Sequence, residues 1–377
     1  MKLTNEVLQY ILDHREEAYE LLLTLARIPA PSNHEEKRAQ FCKQWLEQQG
    51  AQGVYIDESL NVVYPIGCTD SNPVAVFMAH SDVVFPDTEP LPLHVEDGKI
   101  LCPGVGDDTA NVVALLMTAK YIAQNNLSPR HQGLLLVVNS GEEGLGNLMG
   151  CRRIFSDFAG RVTEFITFDG NAGHIANKAV GSKRYKVTVT TEGGHSYGAF
   201  GNRNAIAYLA SLIGTLYTIK VPPLGKTTYN VGLISGGTSV NTIAQQAEML
   251  YEFRSDERES LSIMEQHFNA AIDFYRTKGI GVEVELVGDR PCSGDLDAVK
   301  HQALMNRAAE AIQDHYGHAP SFGASSTDCN IPLSLGVPAV CVGCVVGKGA
   351  HTREEFVYID SLQPGIAVAF DLILHHF

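Results

Sequence analysis

Short apolar runs alternate along this chain with stretches of helical periodicity, and the alternation restricts the possible folds more than any other feature. Val74–Ala79, Leu134–Val138, Phe165–Phe168 and Val337–Val342 read as strands, with helical patterns at Glu35–Gln49, Ala110–Gln124, Gly150–Phe155, Ala303–Tyr316 and Leu362–Leu374 between and around them. An opening helix over residues 4–28 ends at Ile28-Pro29-Ala30-Pro31-Ser32. Strands alternating with helices give an α/β sandwich whose sheet is mostly parallel. Sites in such sheets lie beyond the carboxyl ends of the strands.

From about Lys183 the order changes to strand Arg184–Thr190, helix Asn204–Leu216, strands Thr228–Ser235 and Glu248–Arg254, helix Glu259–Lys278 and strand Gly281–Val287. This βαββαβ order fits a ferredoxin-like domain. The first alternation then resumes, so residues 182–288 read as an insertion. Residues 1–181 and 289–377 together build one discontinuous domain, and 377 residues suit such a division.

A formal charge of −15 argues against nucleic-acid and anionic-membrane partners, which need a basic face, and favours metal cations. No apolar run approaches the ~20 residues of a membrane-spanning helix. The N-terminus lacks a basic segment followed by an apolar one, so a cytoplasmic location is expected. The eight cysteines are scattered, mostly within apolar stretches, as reduced buried thiols would be. Cys341 and Cys344 form a lone CxxC inside an apolar strand, where core packing explains them better than zinc or redox chemistry.

The strand ends carry the chemistry. Val74–Ala79 runs into His80-Ser81-Asp82, where the histidine can bind a metal while the aspartate fixes its ring. Gly133–Val138 runs through Asn139-Ser140-Gly141 into Glu142-Glu143. Two adjacent carboxylates repel and raise each other's pKa unless a cation offsets them, and neighbours on extended chain point opposite ways, so one can hold a metal while the other moves protons. Phe165–Phe168 ends at Asp169-Gly170, Asp107-Asp108 precede the helix at Ala110, and His351 lies in a glycine loop. Singly, each has an ordinary explanation: a solvated turn, a helix cap or an exposed histidine. Together at one sheet edge, His, Asp, Glu, Asp and His suit zinc, with cobalt or manganese also accommodated, and their number suits two metals sharing a bridging carboxylate.

The ordered strings HSD, GVGDDTAN, SGEEG, FDGN and GAHT, with the inserted βαββαβ unit, resemble the M20 family of di-zinc metallopeptidases across nearly the whole chain, and are similar to its peptidase T branch. The resemblance implies a zinc exopeptidase-like fold with a lid and dimerisation domain at 182–288. It implies two Zn2+ per subunit, one bound by His80 and Asp169, the other by Glu143 and His351, with Asp107 bridging and a cis peptide after it. Asp82 would back His80, and Glu142 would be general base toward a water held as hydroxide between the cations, which would also polarise the scissile carbonyl. It further implies that His195 supports the oxyanion of a neighbouring subunit in a homodimer formed through the lid; a turn histidine would look the same in sequence. Arg254, helped by Asn241, would grip a substrate carboxylate, against the simpler reading of an ion pair with Asp256 or Glu257. The family commonly has Lys-Gly where this chain has Thr109-Ala110, which removes no ligand. Asp169, where deacylating relatives tend to carry Glu, tilts the expected substrate toward di- and tripeptides cleaved as by an aminopeptidase. An N-acyl-amino-acid amidohydrolase or a carboxypeptidase is the alternative within the same chemistry.

Overall fold

A computed structural model of the chain describes residues 2–377 and divides into two compact units, one running to residue 179 and resuming over 294–377, the other 180–293. The first is built on an eight-stranded sheet whose order is 55–56, 62–66, 133–139, 74–80, 162–168, 339–342, 174–179, 321–325. Its four central strands are parallel, pairing His80 with Asn139 and Phe168 with Val342, so their carboxyl ends finish side by side. The outer pairs 55–56 with 62–66, 62–66 with 133–139, and 339–342 with 174–179 are antiparallel.

Strand periodicity explains the two layers. On Val74–His80, Ala75, Phe77 and Ala79 face one core, which also holds residues from the helices Arg15–Arg27, Glu36–Gln48, Ala110–Gln124 and Leu362–Leu374. Val76 and Met78 face the other, with Ile154, Phe155 and Leu333. A strand buried on both faces needs no polar alternation, which is why these runs are apolar throughout. Ala110–Gln124 is likewise buried on nearly all sides and correspondingly apolar.

The opening helical stretch is two helices, Asn5–Asp13 and Arg15–Arg27, divided at His14 (φ −101°, ψ 12°) rather than continuous. No proline or glycine marks that break. Cys341 and Cys344 are buried free thiols, in keeping with core packing.

In the second unit, strands Thr227–Gly236, Gln246–Ser255, Gly181–Thr190 and Gly281–Arg290 form an antiparallel sheet in that order, the ferredoxin-like arrangement. Its edge strand Gly281–Arg290 stays paired with the inner strand Gly181–Thr190 as far as Arg290 opposite Ser182, which carries the unit to residue 293. Helices Ala205–Leu216 and Arg258–Thr277 set Leu209, Leu212, Met264 and Phe268 against Val187, Val189, Met249 and Phe253. Asn204 caps the first of them, accepting from the backbone N–H of Ile206 at 3.0 Å.

Candidate metal centre

Each expected ligand of the first unit stands at or just beyond the carboxyl end of a central strand, or on a loop that returns to it. His80 is the last residue of its strand and is 1 % exposed. Its Nδ1 donates to the main-chain oxygen of Asp82 at 3.1 Å, leaving Nε2 to point at Asp107 Oδ1, also at 3.1 Å. Asp107 lies in a tight turn, Val105–Thr109, before the Ala110 helix, and the Asp107–Asp108 peptide is cis. Its second oxygen, Oδ2, is 3.2 Å from His351 Nε2, which in turn is 3.0 Å from Glu143 Oε1. His351 holds a left-handed backbone (φ 64°), rare for a residue with a side chain and found where function fixes geometry.

Ligand atoms of His80, Asp107 and Glu143 lie within 4.8 Å of one another, and so do those of His80, Asp108 and Asp169. Asp108 is thus brought in beside the expected set; its carboxylate also accepts from the His80 backbone N–H at 2.8 Å and from Asn111 at 2.6 Å, so it braces the strand end rather than capping the helix.

The electrostatics are those of a cluster with more carboxylates than cations. Burial, then the neighbouring Asp107 carboxylate, pushes Asp169 up to about 7. For Asp107 burial acts upward too, but hydrogen bonds from His351 and His80 outweigh it and hold the carboxyl below the usual range. Those bonds to Asp107 and Glu143 push His351 up to about 10. A divalent cation would take over the charge balance that the imidazoles otherwise supply. Two imidazoles and several carboxylates at this spacing suit such a cation in both donor type and charge.

Asp82 does more than back His80. Its carboxylate, fully buried, accepts from the backbone N–H groups of Glu142 (3.0 Å) and Glu143 (2.9 Å) and from the Ser32 hydroxyl (2.7 Å). With its Oδ1 also 3.4 Å from His80 Nδ1, one carboxylate touches the histidine and holds the paired glutamates. Glu142 and Glu143 are each only 5 % exposed, which sets aside the solvated turn.

The sequence patterns did not single out the buried frame behind these groups. Glu35, fully buried, accepts from the Asn33 and Gly141 N–H groups at 3.0 and 2.9 Å. Arg38, 1 % exposed, donates to the carbonyls of Ile28 (2.7 Å) and Ser81 (2.8 Å) and to the Thr109 hydroxyl (3.1 Å). Its signal was spacing: Arg38, Cys42 and Leu46 recur at four-residue intervals on the buried face of one helix.

The other expected residues belong to the second unit. His195, exposed, lies on a two-residue strand paired antiparallel with Thr242–Ile243, and its Nδ1 accepts from the backbone N–H groups of Tyr197 and Gly198, both at 3.2 Å. The neutral ring therefore carries its hydrogen on Nε2. Asn241 is exposed, with its Oδ1 accepting from Ser239 at 2.6 Å. Arg254 gives both arms of its fork to Glu252, each at 3.0 Å, rather than to Asp256 or Glu257. Residues two apart on a strand share a face, which makes Glu252 the natural partner.

The family profile of peptidase family M20/M25/M40 matches residues 76–375. The chain belongs to the M20 metallopeptidase family. It is 26 % identical, over 94 % of its length and 98 % of the relative's, to a Mycobacterium tuberculosis protein with the provisional name succinyl-diaminopimelate desuccinylase DapE. The fold of this M20 chain is similar to that of a tripeptidase from Staphylococcus aureus, with a TM-score of 0.77 at 22 % identity over 95 % of this chain and 97 % of that one. It is also similar to that of a Bacillus subtilis protein described as a dinuclear metal-binding peptidase of the M20 family, with a TM-score of 0.66 at 16 % identity over 97 % and 99 %.

Proposed function

We propose that this M20 hydrolase is a two-metal exopeptidase that cleaves small peptides, di- and tripeptides, in the manner of an aminopeptidase. One observation carries the reading: the two oxygens of Asp107 face two different histidines, Oδ1 toward His80 and Oδ2 toward His351, as a bridging carboxylate must. On this reading His80 and Asp169 would hold one cation and Glu143 and His351 the other, with Asp107 shared between them. Zinc suits the donor set, and cobalt or manganese would fit it too. When bound, the pair supplies Lewis-acid polarisation of the scissile carbonyl and activation of water.

The remaining steps fall to the protein. Glu142, its backbone fixed by Asp82, takes the proton of the attacking water and returns it to the leaving amine. Asp82 and Ser32 hold the Glu142-Glu143 turn so that the two carboxylates keep separate duties. His195, with its hydrogen on Nε2, donates to the developing oxyanion. Asn241, whose main-chain oxygen accepts from the Ser196 N–H at 2.9 Å and so lies beside His195, helps receive the substrate's carboxylate, and Arg254 joins it only by exchanging Glu252 for that carboxylate. The second unit also serves as the dimer contact through its edge strand Thr227–Gly236, where Leu233 and Ile234 are exposed, with His195 acting in the neighbouring subunit. A cytoplasmic site of action fits the absence, among the described residues, of a helix long and apolar enough to cross a membrane.

A deacylase reading is favoured by the names of relatives, among them the succinyl-diaminopimelate desuccinylase name of the M. tuberculosis protein. Assays of the cobalt- and zinc-loaded enzyme on free-amino tripeptides, N-acyl amino acids and N-blocked peptides separate the cases. Turnover of free-amino peptides is expected; hydrolysis confined to acylated amino acids would establish the amidohydrolase, and to N-blocked peptides the carboxypeptidase.

A further inference from the structure

Behind the bridging aspartate lies a carboxylate that contacts none of the candidate ligand side chains. Glu355, 2 % exposed, accepts from three backbone N–H groups of one loop: Gly104 to Oε2 at 2.7 Å, Gly106 to Oε1 at 2.8 Å and Asp107 itself to Oε1 at 2.8 Å. Its main-chain oxygen accepts from Cys102 N–H at 3.1 Å, so one residue holds the stretch 102–107 through both its backbone and its side chain. The loop is shaped for this. Gly104 has φ +75°, and a Cβ there would come within 2.3 Å of Val83 Cγ1; a Cβ on Gly106 would stand 3.1 Å from Val357 Cγ1 and 3.2 Å from Glu355 Oε1. Glu355 also follows His351 by four residues, and His351 Nε2 is 3.2 Å from Asp107 Oδ2. The segment 351–355 therefore grips Asp107 at both ends, by imidazole at the carboxylate and by carboxylate at the amide.

We propose that Glu355 is a positioning residue of the metal centre: by fixing the backbone of 104–107 it aims the Asp107 carboxylate so that both oxygens are available to two cations. This rests on the two-metal reading. Charge-assisted bonds to three N–H groups orient the loop before any cation arrives, and an amide in the same place could not accept at both positions.

The test is Co2+ binding to the metal-free full chain, followed by titration and by the visible absorption of the bound ion, for wild type, Glu355→Gln and Gly106→Ala. Gly106→Ala presses on Val357 and on the Glu355 carboxylate without removing it, and answers the question should Glu355→Gln fail to fold. Glu164→Gln, a half-buried change near the other end of the Val162–Phe168 strand from Asp169, serves as the control for general destabilisation. Wild type should bind two Co2+ per chain. Glu355→Gln should bind about 10- to 100-fold more weakly with an altered spectrum, Gly106→Ala less severely, and Glu164→Gln as wild type. Wild-type affinity and spectrum in both Glu355→Gln and Gly106→Ala would overturn the proposal, as would equal weakening in Glu164→Gln. Fewer than two Co2+ on the wild type would instead sink the two-metal reading itself.

Discussion

His80, Asp82, Glu142 and Glu143 are each 5 % exposed or less, and the backbone of the strand ends that carry them is tied to other buried carboxylates. In the 180–293 unit, by contrast, Tyr197 and Phe200 on the loop after His195 are 90 % exposed, and His195 and Asn241 are open as well. The roles proposed for the two regions account for the contrast. Like charges gathered for a cation repel one another until it binds, so their positions have to be enforced by the fold. Groups that meet a substrate or a second subunit pay for their order only on binding, and the surface can vary without disturbing the metals.

Substitutions can break this division or sharpen it. A large effect on turnover alone is expected at the exposed end of the 180–293 unit: His195→Ala should lower kcat about 10²- to 10³-fold with metal content unchanged, read by steady-state kinetics beside metal analysis. Loss of metal in that variant would erase the distinction between the regions. In the buried unit the order reverses. Asp82→Asn should weaken metal binding about 10- to 100-fold, because its carboxylate orders both the His80 and the Glu142-Glu143 segments. An unchanged chelator-competition curve would show that Asp82 holds nothing in place.

A smaller effect concerns the frame alone. Burial acts to raise Glu164, but hydrogen bonding from His376 and the Arg307 charge outweigh it and hold the carboxyl below its ordinary range. A depressed carboxyl stabilises the fold above its unfolded pKa of about 4.3 and loses that contribution as pH falls through the lower folded value. Urea melts should therefore show wild type about 1–3 kcal/mol more stable than Glu164→Gln at neutral pH, with the gap closing well below pH 4. A gap independent of pH would mean that packing, not charge, is lost.

The same contrast explains what could be read from sequence. The central strands and the Ala110–Gln124 helix were legible because full burial leaves an apolar run, and His80, Glu142, Glu143 and Asp169 were legible because they end such runs. The strand His174–Ala179 was not: His174, Asn177 and Lys178 break its pattern, and it exists through pairing with Ser321–Ser325 and Ala339–Val342, far away in sequence. The small sheet of His94–Glu96, Lys99–Leu101, Gly347–Lys348 and Phe356–Tyr358 is too short and too exposed to leave a signature. Glu355 was invisible for another reason. Its partners are backbone amides 248 to 251 residues away, and an amide leaves no letter in the sequence to match.

The division of labour between Glu142 and Glu143 is the central claim, and paired measurement of bound metal and peptide turnover in their glutamine variants tests it most directly. Glu142→Gln should keep two metals per chain and lose turnover by about 10²- to 10⁴-fold, whereas Glu143→Gln should lose affinity for one metal. Metal content and turnover that change alike in both variants would contradict it.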